Sequence, residues 1–277
     1  MSNVAGPDAF FLETPAGQRF CLHYPSLTET RACAVYLHPF AEEMNKSRRM
    51  AAMAARRMAQ RGIAVLQIDL CGCGDSAGDF SDASWSGWLD DVGHAVAWMR
   101  SRYGQAPMLW GCRLGALLAA AHAASDADCR RLLLWSPVLH GEQFLTQFLR
   151  LRVANQMLAG GEGLTTQQLQ QNLQAGANVE VAGYELAPAL ALPMAACKLA
   201  TLLQPGQQVD WFELQTSADR PLPGVIDKLV AERCAAGVEI ALQAVIGEPF
   251  WSTQEITDVP ALLDATLAAQ EERRVLV

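Results

Sequence analysis

Three groups of side chains in this 277-residue chain have the types and spacing for chemistry. In Trp110-Gly111-Cys112-Arg113-Leu114-Gly115, between an apolar run and an alanine-rich one, a thiol adjoins a guanidinium. A nearby positive charge favours the thiolate, so Cys112 is a candidate nucleophile, and His38, which ends an apolar run, is the candidate base. The acid is ambiguous: Asp219, in Ser-Ala-Asp-Arg-Pro, is the candidate, with Glu213 inside the run before it, although Asp in that setting better suits a turn. The second group is the charged run Glu42, Glu43, Asn45, Lys46, Arg48 and Arg49, either a charged pocket floor or a solvated helix start. The third is Phe250 with Trp251, aromatic walls suited to an apolar or sugar-like ligand. Cys71 and Cys73 form C-x-C with no second pair at zinc-ribbon spacing, so no metal or other cofactor is expected.

The elements that must position these groups alternate in type. AFFLET and QRFCLHYP flank Pro15-Ala16-Gly17 as an opening hairpin. ACAVYLHPF, IAVLQIDL, PMLWG, RRLLLWSPV, VDWFELQT and VEIALQAVIG read as further strands, several of them continuous apolar runs buried on both faces. Helical stretches separate them: Met44 to Gly62, Trp85 to Tyr103, GALLAAAHAA, Pro223 to Ala236, and a last one from about Val259. This alternation predicts one α/β domain over 1–277, a mainly parallel eight-stranded sheet with helices on both faces. The stretch 140–205 is glutamine-rich, helical in pattern and without evident strands, too long for a simple connection, and is expected to be a cap insertion.

Composition narrows the function classes. At 51% hydrophobic and 18% charged residues the chain can bury a large core. A net charge of -8 argues against nucleic acid and anionic membranes as partners. The first residues lack the basic start and apolar run of a signal peptide, and no run is long enough to span a bilayer, so a cytoplasmic protein with reduced cysteines is expected.

Trp110 to Gly115 resembles the nucleophile elbow G-x-S-x-G of α/β-hydrolases, and Asp69 to Ser76, Asp-Leu-x-Gly-x-Gly-Asp-Ser, resembles a loop of the same superfamily. Pro39-Phe40-Ala41-Glu42-Glu43-Met44-Asn45-Lys46-Ser47-Arg48-Arg49-Met50 and Gly247-Glu248-Pro249-Phe250-Trp251 resemble the bacterial exosortase A system-associated hydrolase 2 family nearly end to end. That resemblance implies an α/β-hydrolase fold and association with the exosortase/PEP-CTERM exopolysaccharide machinery.

It also shows what is missing. The glycine register puts Arg113, a permanent cation that cannot attack a carbonyl, at the nucleophile position, with Cys112 directed toward the sheet. The triad histidine of this fold follows the last strand, yet all five histidines lie at or before residue 140, and Gly-Glu-Pro-Phe-Trp stands there instead. The sequence therefore points to a degenerate, non-hydrolytic ligand-binding or regulatory protein. The alternative is an ester or thioester hydrolase using Cys112 and His38. Arg113 requires compensation, either from Glu42 or Glu43 or from an anion held with Lys46. Phe40, Asn45, Phe250 and Trp251 complete the expected binding site. An acyl or sugar ligand and exopolysaccharide-system proteins are the expected partners.

Overall fold

The computed structural model describes residues 6–158 and 165–275. In chain order its elements are β1 (Asp8–Thr14), β2 (Gly17–Tyr24), β3 (Ala32–Leu37), α1 (Glu42–Gln60), β4 (Ile63–Ile68), α2 (Trp85–Tyr103), β5 (Met108–Cys112), α3 (Leu114–Ser125) and β6 (Arg131–Trp135). There follow α4 (Gly141–Leu158), α5 (Thr166–Gln174), β7 (Val179–Val181), β8 (Tyr184–Leu186), α6 (Pro188–Ala196) and α7 (Leu199–Leu202). The chain closes with β9 (Gln208–Gln215), α8 (Gly224–Ala235), β10 (Glu239–Ile246) and α9 (Pro260–Val275).

Eight strands form one sheet in the order β1-β2-β4-β3-β5-β6-β9-β10. β1 pairs antiparallel with β2, and β2 antiparallel with β4. Every later pairing in that sheet is parallel, as strands linked through helices require. β3, Ala-Cys-Ala-Val-Tyr-Leu, is buried along nearly its whole length because helices cover both faces. One core gathers side chains of α2, α3 and the segments after β6, including Trp88, Leu117 and Trp211. The other lies under α1 and α9 and includes Trp110, Cys112, Trp135 and Phe250.

Local signals set the helix limits. Ser84 caps α2 by accepting the Gly87 N–H at 3.0 Å, and Gly104, at φ 68°, ends it in the left-handed region. α1 buries Met44, Ser47, Met50, Ala51, Ala54, Ala55 and Met58, the three- and four-residue spacing of one helical face. Arg19 on β2 and Asp91 on α2 meet at 2.7 Å with side chains 1% and 3% exposed, a buried ion pair joining the sheet to that helix.

Between β6 and β9 the expected insertion is helical, with one correction: β7 and β8 form an antiparallel hairpin within it. Strands of three residues turning at Ala182-Gly183 are too short to give a readable alternation. Residues 159–164 of this insertion, and the first five residues on which the reading of the N-terminus partly rests, lie outside the described part. No described helix is long and apolar enough to cross a membrane.

Candidate functional site

The turn from β5 into α3 is built to aim one side chain. Arg113 occupies it with φ 55° and ψ -118°, a region that L-residues rarely adopt. A Cβ on Gly111 would fall 2.3 Å from Ala116 Cα, and one on Gly115 would fall 2.2 Å from the Leu37 carbonyl oxygen. Only glycine lets strand and helix approach this closely. The Arg113 N–H donates to the Trp135 carbonyl at 3.0 Å, and its own carbonyl accepts from the Ala116 and Val138 N–H groups at 3.1 and 3.2 Å. Both neighbours of the turn are therefore tied to it.

The guanidinium meets three partners. Nη1 donates to the Ser136 carbonyl at 3.1 Å, Nε lies 3.7 Å from Glu43 Oε1, and Cζ stands 5.0 Å from the centre of the Trp251 ring. At 3.7 Å the Glu43 contact is an ion pair without a hydrogen bond. Arg113 Nε and Glu43 Oε2 are in fact buried and without hydrogen-bond partners. Burial raises the Glu43 carboxyl to about 7, against the opposing pull of Arg113. Glu213, on β9, is also raised by burial, opposed by the Trp211 indole, which donates to Oε2 at 2.9 Å, and by Arg113. The cation thus contacts one carboxyl that ionises reluctantly and acts electrostatically on a second, and an indole ring takes a cation–π contact with it.

Ser136 and Glu213 are site residues that sequence reasoning does not select as partners of Arg113. Ser136 is held at φ 40°, with its N–H on the Phe212 carbonyl at 2.8 Å and its Oγ accepting the Leu214 N–H at 3.0 Å. Only its position at the end of a parallel strand beside the elbow, Ser136 after β6, hints at the role.

The other expected residues divide. Cys112 is fully buried in the core under α1 and α9, and burial raises its thiol far above the usual value. His38 is buried at the end of β3, where Nε2 accepts the Leu70 N–H at 3.3 Å and Nδ1 lies 2.7 Å from the Pro39 carbonyl. Both imidazole nitrogens are thus used by backbone, and burial lowers the ring's pKa. No thiol–imidazole contact joins Cys112 and His38 among the described residues. Asp219 is exposed in a turn, its N–H on Ser217 Oγ at 3.2 Å.

The charged run separates by helical periodicity. Glu43 turns inward, whereas Glu42, Asn45 and Arg49 are exposed and Lys46 is half-buried. Arg48 pairs with Asp69 at 2.9 Å, and Arg49 with Asp258 through 2.7 and 2.8 Å bonds. The expected charged floor is therefore corrected: Glu42, Asn45 and Arg49 lie on the outward face of α1, Arg48 is taken by Asp69, and Glu43 is the residue of the run that meets Arg113. Phe40 and Phe250 are corrected as well. Phe40 packs among Phe80, Trp88, Phe144 and Phe148 at centroid distances of 5.4, 5.9, 5.6 and 5.0 Å. Phe250 is fully buried against Trp135 at 6.1 Å. Of the expected aromatic wall, Trp251 alone contacts Arg113.

Solved structures of similar shape span almost the whole chain. Est1E from Butyrivibrio proteoclasticus, solved with ferulic acid bound, has a TM-score of 0.69 at 13% identity, covering 96% of this chain and 100% of that one. A soluble variant of monoglyceride lipase from Saccharomyces cerevisiae, in complex with a substrate analogue, has a TM-score of 0.64 at 13% identity, covering 98% and 97%. The thioesterase domain from the curacin biosynthetic pathway has a TM-score of 0.53 at 14% identity, covering 95% and 100%. These likenesses show the fold, that of the α/β-hydrolases. No curated protein sequence matches the chain. The profile of one family, described as serine aminopeptidase, S33, matches residues 28–194, a span that contains β3, the elbow and most of the cap. With more than half of its length matched, the chain belongs to the serine aminopeptidase, S33, family of α/β-hydrolase-fold proteins.

Proposed function

We propose that this chain is a non-hydrolytic member of its family, a cytoplasmic binding or regulatory protein of the exosortase/PEP-CTERM exopolysaccharide system. The observation that carries this reading is the elbow itself, where Arg113 occupies the nucleophile position and the Trp251 ring lies 5.0 Å away. Trp251 belongs to the loop after the last strand, where the fold's general base is expected. Neither side chain can take a proton from an attacking hydroxyl, so the two-residue core of acyl transfer is missing.

Glu43 closes the site at rest through its ion pair with Arg113, and a small anionic, acyl or sugar ligand would compete for the guanidinium. Support comes from the reluctance of Glu43 to ionise: a carboxyl raised to about 7 is a weak competitor near neutral pH. The first N–H groups of α3, which have no intrahelical partner, would add donors to a carboxylate or phosphate. The association with exopolysaccharide export rests on the stretches Pro39–Met50 and Gly247–Trp251, and these supply Glu43 and Trp251, the two side chains flanking Arg113.

Assays with short-chain p-nitrophenyl esters and acyl thioesters test the reading. The expected result is turnover at the buffer rate, unchanged in Cys112→Ala and His38→Ala. Turnover that disappears in either variant would establish instead an ester or thioester hydrolase with Cys112 and His38 as its working pair.

A further inference from the structure

The opposite end of α3 carries a second cluster, remote from Arg113 along a helix of 12 residues. His122 in the last turn, Asp126 at the C-cap and Cys129 just beyond bring an imidazole nitrogen, a carboxylate oxygen and a sulfur within 4.8 Å of one another. Asp126 Oδ2 lies 3.7 Å from His122 Nε2 and 3.6 Å from Cys129 Sγ. With bonds of about 2.3 Å to sulfur and about 2.0–2.1 Å to nitrogen and oxygen, a tetrahedral metal holds its ligand atoms roughly 3.3–3.6 Å apart. Two of the three separations already match that geometry to within a few tenths of an ångström.

The imidazole carries a second, independent indication. His122 is 9% exposed, and its Nε2 is buried without a hydrogen-bond partner. Nε2 is the ring nitrogen that faces the cluster, 3.7 Å from Asp126 Oδ2. A buried ring nitrogen without a partner is a cost that folded proteins ordinarily avoid. A buried imidazole nitrogen with no hydrogen-bond partner, aimed at a thiol and a carboxylate, has the placement of a metal ligand. The C-terminal end of α3 adds partial negative charge, which favours a cation there.

We infer that His122, Asp126 and Cys129 form a binding site for a divalent metal ion of the zinc class, with water at the fourth position. Imidazole together with thiolate selects such an ion over magnesium or calcium, which require oxygen ligands. On binding, the Cys129 thiol releases its proton to solvent, so that thiolate and carboxylate together balance the two charges of the metal. Arg100 is the present partner of Asp126, with Nη2 at 3.1 and 3.0 Å from its two oxygens. The same Nη2 stands 3.5 Å from Asp128 Oδ2, so the guanidinium has a second carboxylate to move to when Asp126 takes the metal. The bound ion would join the end of α3 to the segment entering β6, at the opposite end of that helix from the elbow.

Titration of the metal-free full chain with Zn(II) and with Co(II) tests the site. One ion per chain is expected, with a thiolate-to-cobalt charge-transfer band that Cys129→Ser abolishes. His122→Ala and Cys129→Ser each remove one of three protein ligands and should weaken binding by more than the roughly 10- to 100-fold that loss of a ligand's supporting partner costs. Arg100→Gln should tighten it by removing the competing cation, and Cys234→Ser, which removes an exposed thiol elsewhere, should leave it unchanged. His122→Gln keeps the ring's approximate volume and supplies the same readout if Cys129→Ser does not fold. Absence of stoichiometric binding by the wild type overturns the inference. So does binding that survives loss of both His122 and Cys129, or that follows Cys234.

Discussion

Arg113 joins a strained backbone, at φ 55°, to a side chain that the fold does not ordinarily place there. As a cation at a helix N-terminus it opposes the helix dipole, and Glu43 offsets that opposition only through a 3.7 Å ion pair. Burial dominates the balance, since the Glu43 carboxyl is raised to about 7 from its ordinary value of 4.5. Between those two values the folded protein holds a proton that the unfolded chain has lost, so stability falls as pH rises through this window. Glu43→Gln removes the titration. Its melting temperature relative to wild type should therefore climb from about pH 4.5 to about pH 7 and level off on either side, as thermal melts across that range can measure. A difference that stays flat over this range and shrinks only as pH rises toward 4.5 from below would mean that Arg113 holds Glu43 ionised. Arg113→Ser, by contrast, should restore no measurable ester hydrolysis, because the neighbouring position still carries the Trp251 indole. Steady-state rates of that variant against buffer check this directly.

At the scale of elements, the elbow depends on how closely β5 and α3 approach. Gly115→Ala would drive a methyl group toward the Leu37 and His38 carbonyls, at 2.2 and 2.5 Å, and should cost at least about 1–3 kcal/mol in urea denaturation. Phe40→Ala should cost about 3–5 kcal/mol, because Phe40 is the hub of four aromatic contacts beneath the cap. These two positions also mark how much was legible in the sequence. Apolar runs and glycines located the strands, the elbow and Trp85–Tyr103 because period and turn residues report backbone conformation directly. Side-chain direction is harder to read. Phe40 and Phe250 look like pocket walls until packing places one among cap aromatics and the other against Trp135. Ser136 and Glu213 become partners of Arg113 only through the lateral order of β5, β6 and β9, which no local pattern records. The cluster of His122, Asp126 and Cys129 has no paired-cysteine signature, because it combines three residue types at uneven spacing.

Across the whole molecule, α1 and the segment between β10 and α9 are joined by more than the site. Arg49 and Asp258 pair through two bonds, and the Val259 N–H meets Met50 Sδ at 3.2 Å, so α1 and the loop after β10 are held together where Glu43 and Trp251 flank Arg113. The Arg49 pair is exposed, and its contribution should be small and weaken further with salt. The buried pair of Arg19 and Asp91 behaves differently, because removing one partner leaves the other charge uncompensated in the core. Asp91→Ala also deprives the Cys71 N–H of its acceptor and should cost about 3–5 kcal/mol in equilibrium unfolding. A cost below that of an ordinary surface substitution would show that Arg19 reaches solvent. Among the described residues the sheet and elbow of an α/β-hydrolase fold are in place, while a cation flanked by Glu43 and Trp251 stands at the elbow. Intact-mass spectrometry after incubation with a p-nitrophenyl ester or an acyl thioester reads that claim most directly. The expected spectrum is the unmodified chain at every time point; an acyl adduct that maps to Cys112, or to a hydroxyl beside the elbow, and that decays with release of acid would contradict it.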